Sequence, residues 1–536
     1  MRPRKDALVA AAVLGLGLAA PAAHAAFGIQ SFTAEVRKAD NTTLETQAGA
    51  HPWVGETAFT FNNGPGGPDG HVKNIRVDLP PGLVSNPLAT PRCTNAQFPN
   101  CPKETQLGTE ALTAAVGPVL VPYTAAVFNM ETTGDQVADF AFSVPAIAPR
   151  TDIVGGLRDK TDLGLFFTIS NIASDSNLVS STLTFWGIPA DPSHDSVRGG
   201  PSTAPPTPFL TLPTSCAGVQ TTTLTATSYA DETVSANAVT PTGATGCDTL
   251  AFSPKLSAVA DGNTTEAGGA GLKVTLEQPL EQANVKSVSV QLPKELTARG
   301  TTVANACLEA TFKADPNGCA GAQIGTVAAA SPLQLVPLSG PVYLVAHPTG
   351  LPTIEALLQA PGINIDLSGT IKFTATGINS TFETVPDLPI TSFVLDLPTG
   401  PHSALSATKG VCSGPLVTST TIIGQNGARL DQTNPIVVTG CVAKAPVLKI
   451  TRASVKGAVA TLVVQVPRAG TLTARGKGLR NASRKVTQAG TVTLKLRLSK
   501  AGKALRAKRH RAHRKLKVPV TVRLGSLKAG RTLAFK

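Results

Sequence analysis

Eight cysteines fall into two sets of four with one rhythm, and that rhythm constrains the fold more than any other feature of the 536-residue chain. Cys93 and Cys101 are 8 residues apart and Cys216 and Cys247 are 31 apart; Cys307 and Cys319 are 12 apart and Cys412 and Cys441 are 29 apart. None forms a CxxC pair, so zinc and thiol-redox readings lose their support. An even count in an exported chain reads as disulfides. The spacing predicts neighbour pairing: Cys93 with Cys101, Cys216 with Cys247, Cys307 with Cys319, Cys412 with Cys441. By loop-closure entropy, the short loops would contribute about 2.5 kcal/mol each and the long ones about 3.7 kcal/mol.

The flanks of the cysteines repeat as well, which identifies an internal duplication. VKNIRVDLPPGL from Val72 matches VKSVSVQLPKEL from Val285, and each leads into a short cysteine loop. TQLGT at 105–109 answers QIGTV at 323–327, and ADNTTLETQAG at 39–49 parallels ADGNTTEAGG at 260–269. STLTFWGIP at 181–189 parallels ITSFVLDLP at 390–398. The expected layout is a leader at 1–25, repeat copies at 26–246 and 247–441, and a separate basic domain at 444–536.

Each copy reads as β structure. IRVDL, VSVQL, DFAFSV, LGLFFTI, TIKFTAT and SFVLDL alternate apolar and polar residues, as strands with one buried face do. The 49 glycines and 42 prolines fall mostly between such runs, where turns need them. No sustained 3.6-residue apolar period occurs in the body. The expected fold class is all-β: two tandem β-sandwich repeats plus a small C-terminal Ig-like sandwich.

The N-terminus predicts the compartment. MRPRK is a positive n-region, ALVAAAVLGLGLAA an apolar stretch, and Ala23-His24-Ala25 a small-residue cleavage site. No other segment approaches the roughly 18 apolar residues that a spanning helix needs. LPTGP at 397–401 lacks the order of a wall-sorting motif and has no hydrophobic tail after it. The chain is expected to be secreted or retained non-covalently at the cell surface, with no transmembrane segment.

Charge divides the chain sharply. From Lys444 onward there are 25 lysines and arginines and no acid, whereas residues 1–443 carry 22 basic against 34 acidic residues, a formal −12. The tail is still patterned as strand. TLVVQV places Leu462, Val464 and Val466 on one face. TVTLKLRL places Val492, Leu494, Leu496 and Leu498 there, with Lys495 and Arg497 opposite. KLKVPVTVRL does the same with Leu516, Val518, Val520, Val522 and Leu524, and Pro519 marks it as an edge strand. Leu498, Ala501 and Leu505 have helical spacing with Ser499 as N-cap, so a short crossover helix is expected. RAKRHRAHRK at 506–515 is then expected to be a solvated loop. Lys495, Arg497, Arg506, Lys508, Arg509, Arg511, Arg514, Lys515, Lys517 and Arg523 are the candidate polyanion-binding residues. The partners expected are anionic cell-envelope polymers or a phospholipid surface, held by nonspecific electrostatics.

LPPGLVSNPLATPRC, its second cysteine and TQLGT resemble a repeat of large exported proteins of high-GC bacteria. FWGIPADPSHDSVRGG and FLTLPTSC are similar to later segments of that repeat. GTLTARGKGL, TVTLKLRLSKAGKAL and the Lys/Arg-rich end resemble the basic Ig-like domain that often closes such proteins. The resemblance spans nearly the whole mature chain and implies an exported, multi-sandwich architecture, with no catalytic residues to carry over. The second copy departs from it: PADPSHDSVRGG is missing and the first cysteine loop is longer.

Chemical motifs are sparse. Asp191, His194, Asp195 and Arg198 crowd into PADPSHDSVRGG, where His194 could serve as a general base oriented by a carboxylate. The stretch runs on into PSTAPPTP and has no GxSxG, which favours a turn-rich insertion. His51, His71, His347 and His402 are isolated, with no metal-spaced partner. Asp69 and Asp261 sit in turn sequences without the EF-hand pattern. Trp53, Trp186, Tyr123, Tyr229 and Tyr343 are too few for a broad sugar-stacking platform. In the tail, Phe535 is the sole aromatic residue, and no base-reading motif accompanies the charge, so specific nucleic-acid recognition is not expected. Neither enzymatic activity nor a metal or cofactor is expected. The leading expectation is a structural or adhesive surface protein, and the alternative is an exported enzyme or ligand-binding protein acting on an extracellular polymer.

Overall fold

The alternating runs become strands: IRVDL, all but its final Leu79, lies in Val72–Asp78, VSVQL in Val285–Pro293, SFVLDL in Ser392–Leu397. The computed structural model describes residues 26–536 apart from 65, 159–161, 263–267, 408–410 and 442–446. The expected leader, Lys444 and part of ADGNTTEAGG thus lie outside the described residues. The fold is all-β. It divides at Cys441/Val442 into two compact units, the first holding both repeats and the second the basic domain.

Each repeat is one long rolled sheet. In the first, eleven strands run in the spatial order Ile29–Arg37, Val54–Phe61, Leu178–Trp186, Gln106–Val116, Val119–Asn129, Ala138–Val144, Ala148–Leu157, Leu165–Ile169, Val72–Asp78, Thr221–Ser228, Thr233–Val239. The second repeat reproduces that order strand for strand. It begins Lys255–Asp261, Leu272–Glu277, Ser392–Leu397, Gln323–Ala330, Leu338–Ala346 and ends Val285–Pro293, Leu416–Gly424, Arg429–Thr439. There the ring closes through a parallel ladder from Ala258↔Ile436 to Asp261↔Thr439. Closure pairs the ends of the first and last strands, which are edges in an open sheet.

The repeated Gln-x-Gly-Thr motif has a structural cause. Both strands carry a bulge at this point, between Gln106 and Gly108 and between Gln323 and Gly325. In each, the Gln side chain donates to the Gly carbonyl two residues on, at 2.9 Å and 3.2 Å. A Cβ at Gly108 would overlap the Thr184 carbonyl oxygen, and one at Gly325 the Asp396 carbonyl oxygen. Only glycine lets the neighbouring strand approach this closely. The ladders also correct the sequence alignment of the next motif. Thr109 pairs with Thr184 and Thr326 with Asp396, so Thr184 corresponds to Asp396 and not, as STLTFWGIP and ITSFVLDLP suggest, to Phe393. The shared proline misleads because the turns that follow differ in length.

The two repeats meet at a polar clamp. Asp387 of the second repeat accepts from the Thr214 and Ser215 amides at 2.8 and 3.1 Å and from the Thr214 hydroxyl at 2.5 Å. Asn284 adds a fourth hydrogen bond at 2.9 Å. Val137, Leu157 and Leu163 of the first repeat pack against the core of the second.

The basic unit is a sandwich of a three-stranded and a four-stranded sheet. Lys449–Lys456, Val459–Val466 and Gly490–Arg497 form one; Ala482–Val486, Gly470–Gly476, Leu516–Leu524 and Leu527–Phe535 form the other. Leu462, Leu496, Val522 and Phe535 are fully buried between them. Three expectations need correction here. Leu516–Leu524 is an inner strand, not an edge; Pro519 is tolerated one residue beyond Val520, its last pair with Gly470–Gly476. The helix runs Lys500–Arg511, so most of RAKRHRAHRK is helical and only its end turns in solvent. Ser499 caps it, accepting from the Gly502 amide at 3.2 Å, and Lys, Arg and Ala are strong helix formers whose cations suit a helix C-terminus. Finally, Ala501 and Leu505 are exposed; the helix docks through Gly502, where a Cβ would overlap the Gly478 carbonyl oxygen.

Candidate functional site

The disulfides join Cys93 to Cys101, Cys216 to Cys247, Cys307 to Cys319 and Cys412 to Cys441, with Cα separations of 5.5, 6.1, 5.5 and 5.8 Å. The long bridge of each repeat encloses its last hairpin: Thr221–Ser228 with Thr233–Val239, and Leu416–Gly424 with Arg429–Thr439. No helix among the described residues is long and apolar enough to cross a membrane.

The ten candidate polyanion-binding residues do not form one patch. Lys495 and Arg497 point outward from the three-stranded sheet, Lys517 and Arg523 from the four-stranded sheet. The outer faces of a sandwich look in opposite directions. Arg506, Lys508, Arg509 and Arg511 lie on the helix, and Arg514 and Lys515 in the turn after it. All are exposed except half-buried Arg506, which donates to the Lys536 carbonyl oxygen at 2.6 Å. The domain is cationic on every side, with no acidic side chain of its own to neutralise it.

The His194 segment is a small core and not an open turn. The His194 ring stacks on Trp186 with centroids 4.3 Å apart and lies 5.1 Å from Trp53. Asp191 caps the turn by accepting from the Ser193 amide at 2.9 Å. Asp195 pairs with Arg198, whose buried guanidinium also donates to the Pro189 carbonyl. The carboxylates are thus engaged elsewhere, and His194 Nε2 has no hydrogen-bond partner among the described residues. Burial, with the Arg198 charge acting the same way, outweighs the opposing pull of Asp191 and Asp195 and lowers the His194 pKa, which keeps the ring neutral near pH 7. A base oriented by a carboxylate is absent from this arrangement.

The remaining histidines are satisfied locally or exposed. His51 meets the Leu210 carbonyl and the Thr211 hydroxyl at 3.1 Å each, and His347 bridges Glu309 and Thr353 at 3.1 and 2.9 Å. His402 bonds the Gly321 carbonyl at 3.0 Å, and His71 is exposed. No group of three or more metal-ligating side chains converges among the described residues.

Sequence reasoning missed the most distinctive site, a cavity of about 370 Å³ inside the first repeat. Phe32, Phe59, Ile75, Phe167 and Phe209 contribute apolar wall, and Glu110 reaches it from Gln106–Val116. Glu110 is only 3% exposed, and its one hydrogen bond among the described residues is from the Ser181 hydroxyl at 2.6 Å. The signal was present: Gln-x-Gly-Thr is followed by Glu110 in the first repeat and by buried Val327 in the second.

Burial pushes the Glu110 carboxyl up to about 7. Folded protein therefore keeps this proton where an unfolded glutamate, near 4.5, has released it. Stability from this group is full below pH 4.5 and is lost as pH rises through about 7. Between pH 5 and 8, Glu110→Gln should lose about 3 kcal/mol less stability than the parent chain, read by urea unfolding at both pH values. Burial also lifts Asp139 and Asp366 to about 7, and those contributions are common to both proteins.

Neither a protein-family model nor a curated protein matches the chain. Among solved structures, it is similar to the BSP domain of a biofilm-associated protein, at 8% identity and a TM-score of 0.18, covering 95% of this chain and 81% of that one. It is also similar to Escherichia coli alpha-2-macroglobulin activated by porcine elastase, at 8% identity and a TM-score of 0.15, covering 95% of this chain and 44% of that one. Likeness at this level adds nothing to the all-β topology described above.

Proposed function

We propose that the chain is an exported structural or adhesive protein of the cell surface, a disulfide-stapled spacer whose basic domain docks on anionic envelope polymers. The observation that carries this reading is the terminal domain itself: 25 cations and no acid on a folded sandwich. Four disulfides suit an oxidising, extracytoplasmic compartment. Charge on both outer faces suits a polymer mesh that surrounds the domain better than a flat bilayer, which one face alone would meet. Screening confines the attraction to roughly 8 Å in physiological salt, so the domain acts on what it touches. The reading assigns the chain no catalytic step.

Deletion of residues 442–536 tests it. Expressed in cells of a type that exports the protein, the full chain is expected in the envelope fraction and the truncated chain in the medium. Equal envelope retention of both would refute the docking role.

A further inference from the structure

The repeats differ where their rings close. In the second, Lys255–Asp261 and Arg429–Thr439 are zipped by a parallel ladder. Their counterparts in the first, Ile29–Arg37 and Thr233–Val239, run side by side with no ladder between them among the described residues. The 370 Å³ cavity lies at this unzipped seam, and both strands contribute to its wall. That volume falls in the range of roughly 300–1,000 Å³ typical of small-molecule sites.

The wall differs in a matching way. Glu110 corresponds to Val327, and Ser181, which pairs with Leu112, corresponds to Phe393, which pairs with Ala329. In the second repeat an apolar pair thus replaces the polar one, and the two cavities that border Phe393, of about 110 and 140 Å³, are each smaller than that of the first repeat. A bare buried carboxyl in a barrel that its own duplicate shows can be filled with Val and Phe is costly unless something uses it. Glu110 has one oxygen bonded by Ser181, and the other receives no hydrogen bond from the described residues. The charge of the wall narrows the ligand. Glu35, Glu45, Glu56 and Glu110 line it with no lysine, arginine or histidine; Arg37 pairs with Glu35 and Glu56, which leaves Glu45 and Glu110 without a cation among the described residues. Arg37 is already held by Glu35 and Glu56, at 2.9 and 2.8 Å, so an anionic head at Glu110 would be desolvated beside a carboxyl group whose only partner among the described residues is the Ser181 hydroxyl.

We propose that the first repeat binds an elongated apolar molecule with an uncharged or cationic hydrogen-bond-donating head, which enters through the open seam and seats its head on the Glu110–Ser181 pair. The apolar wall strips water from the chain, and Glu110 accepts from the head group. This role is independent of the basic domain and lies wholly within residues 26–441.

Titration calorimetry on the chain from residue 26, with decylamine, 1-decanol and decanoate at pH 6 and 8, tests it. Decylamine and decanol are expected to bind one per chain, with decanoate at least about 10-fold weaker. As Glu110 loses its proton near pH 7, decylamine should tighten about 10-fold from pH 6 to pH 8, while decanol changes little. Ser181→Phe, which installs the side chain that the second repeat carries, should abolish binding of all three. Glu110→Gln, nearly isosteric, should bind decylamine equally at both pH values while retaining decanol, and it carries the test if Ser181→Phe loses cooperative unfolding. Decanoate binding as tightly as decylamine, no saturable binding by the parent chain, or a Glu110→Gln variant with unchanged pH dependence would each overturn the proposal. Deleting residues 442–536 should leave all these affinities unchanged, so failure here is separable from failure of envelope docking.

Discussion

Raising salt from 50 to 200 mM should weaken binding of the full chain to an immobilised polyphosphate about 100-fold, the loss expected when some four contacts release condensed counterions. The dependence follows from a domain with no acidic side chain to compete with the polymer, and the slope of log affinity against log salt counts the contacts made. Because cations face both ways from the sandwich, the two faces can be counted separately. Lys495→Gln with Arg497→Gln should lower the slope by about two, and Lys517→Gln with Arg523→Gln should lower it by a similar amount. A slope that responds to only one of these pairs would mean that a single face docks, and the enveloping-mesh picture would be abandoned.

Asp387→Ala should lower the stability of the first compact unit by about 3 kcal/mol in urea unfolding. Four donors converge on this carboxylate, two of them backbone amides that no other group bonds in the same way. Removing it strands them at the joint between repeats, and buried donors without partners cost more than the bonds themselves return. Asp387→Asn, which keeps one acceptor, should lose roughly half as much. Unfolding of the basic domain, which shares no residue with the joint, should keep its midpoint in both variants. A midpoint for the first unit that Asp387→Ala leaves in place would show that the apolar contacts of Val137, Leu157 and Leu163 hold the repeats together unaided.

What could be read from the residues was local. Alternation in IRVDL, VSVQL and TVTLKLRL marks strands because a period of two is visible within six residues. The cysteine spacing marks disulfides because each pair joins neighbours in sequence, 8 to 31 residues apart. Ring order was not legible: Val72–Asp78 pairs with Leu165–Ile169 and Thr221–Ser228, partners that share no local signature with it. The helix through Arg511 was hidden because Lys and Arg read first as charge and only second as helix formers. Glu110 stood in plain view at a core-facing slot, but its meaning depends on the seam, which only long-range pairing creates. His194 was noticed for its carboxylate neighbours, whereas Trp186, eight residues before it, and Trp53, distant in sequence, decide its surroundings.

The long disulfides also determine how the chain would carry a mechanical load. A pull applied through residue 442 enters the first unit at Cys441 and crosses its sulfur directly to Cys412, bypassing residues 413–440. The hairpin Leu416–Gly424 and Arg429–Thr439 therefore lies in a slack loop while tension runs beside it through a covalent bond. Cys216–Cys247 does the same for Thr221–Ser228 and Thr233–Val239. In both repeats the shielded strands are those at which the ring meets its own beginning, so a tether under shear cannot peel either barrel open from its C-terminal end until a sulfur–sulfur bond is reduced.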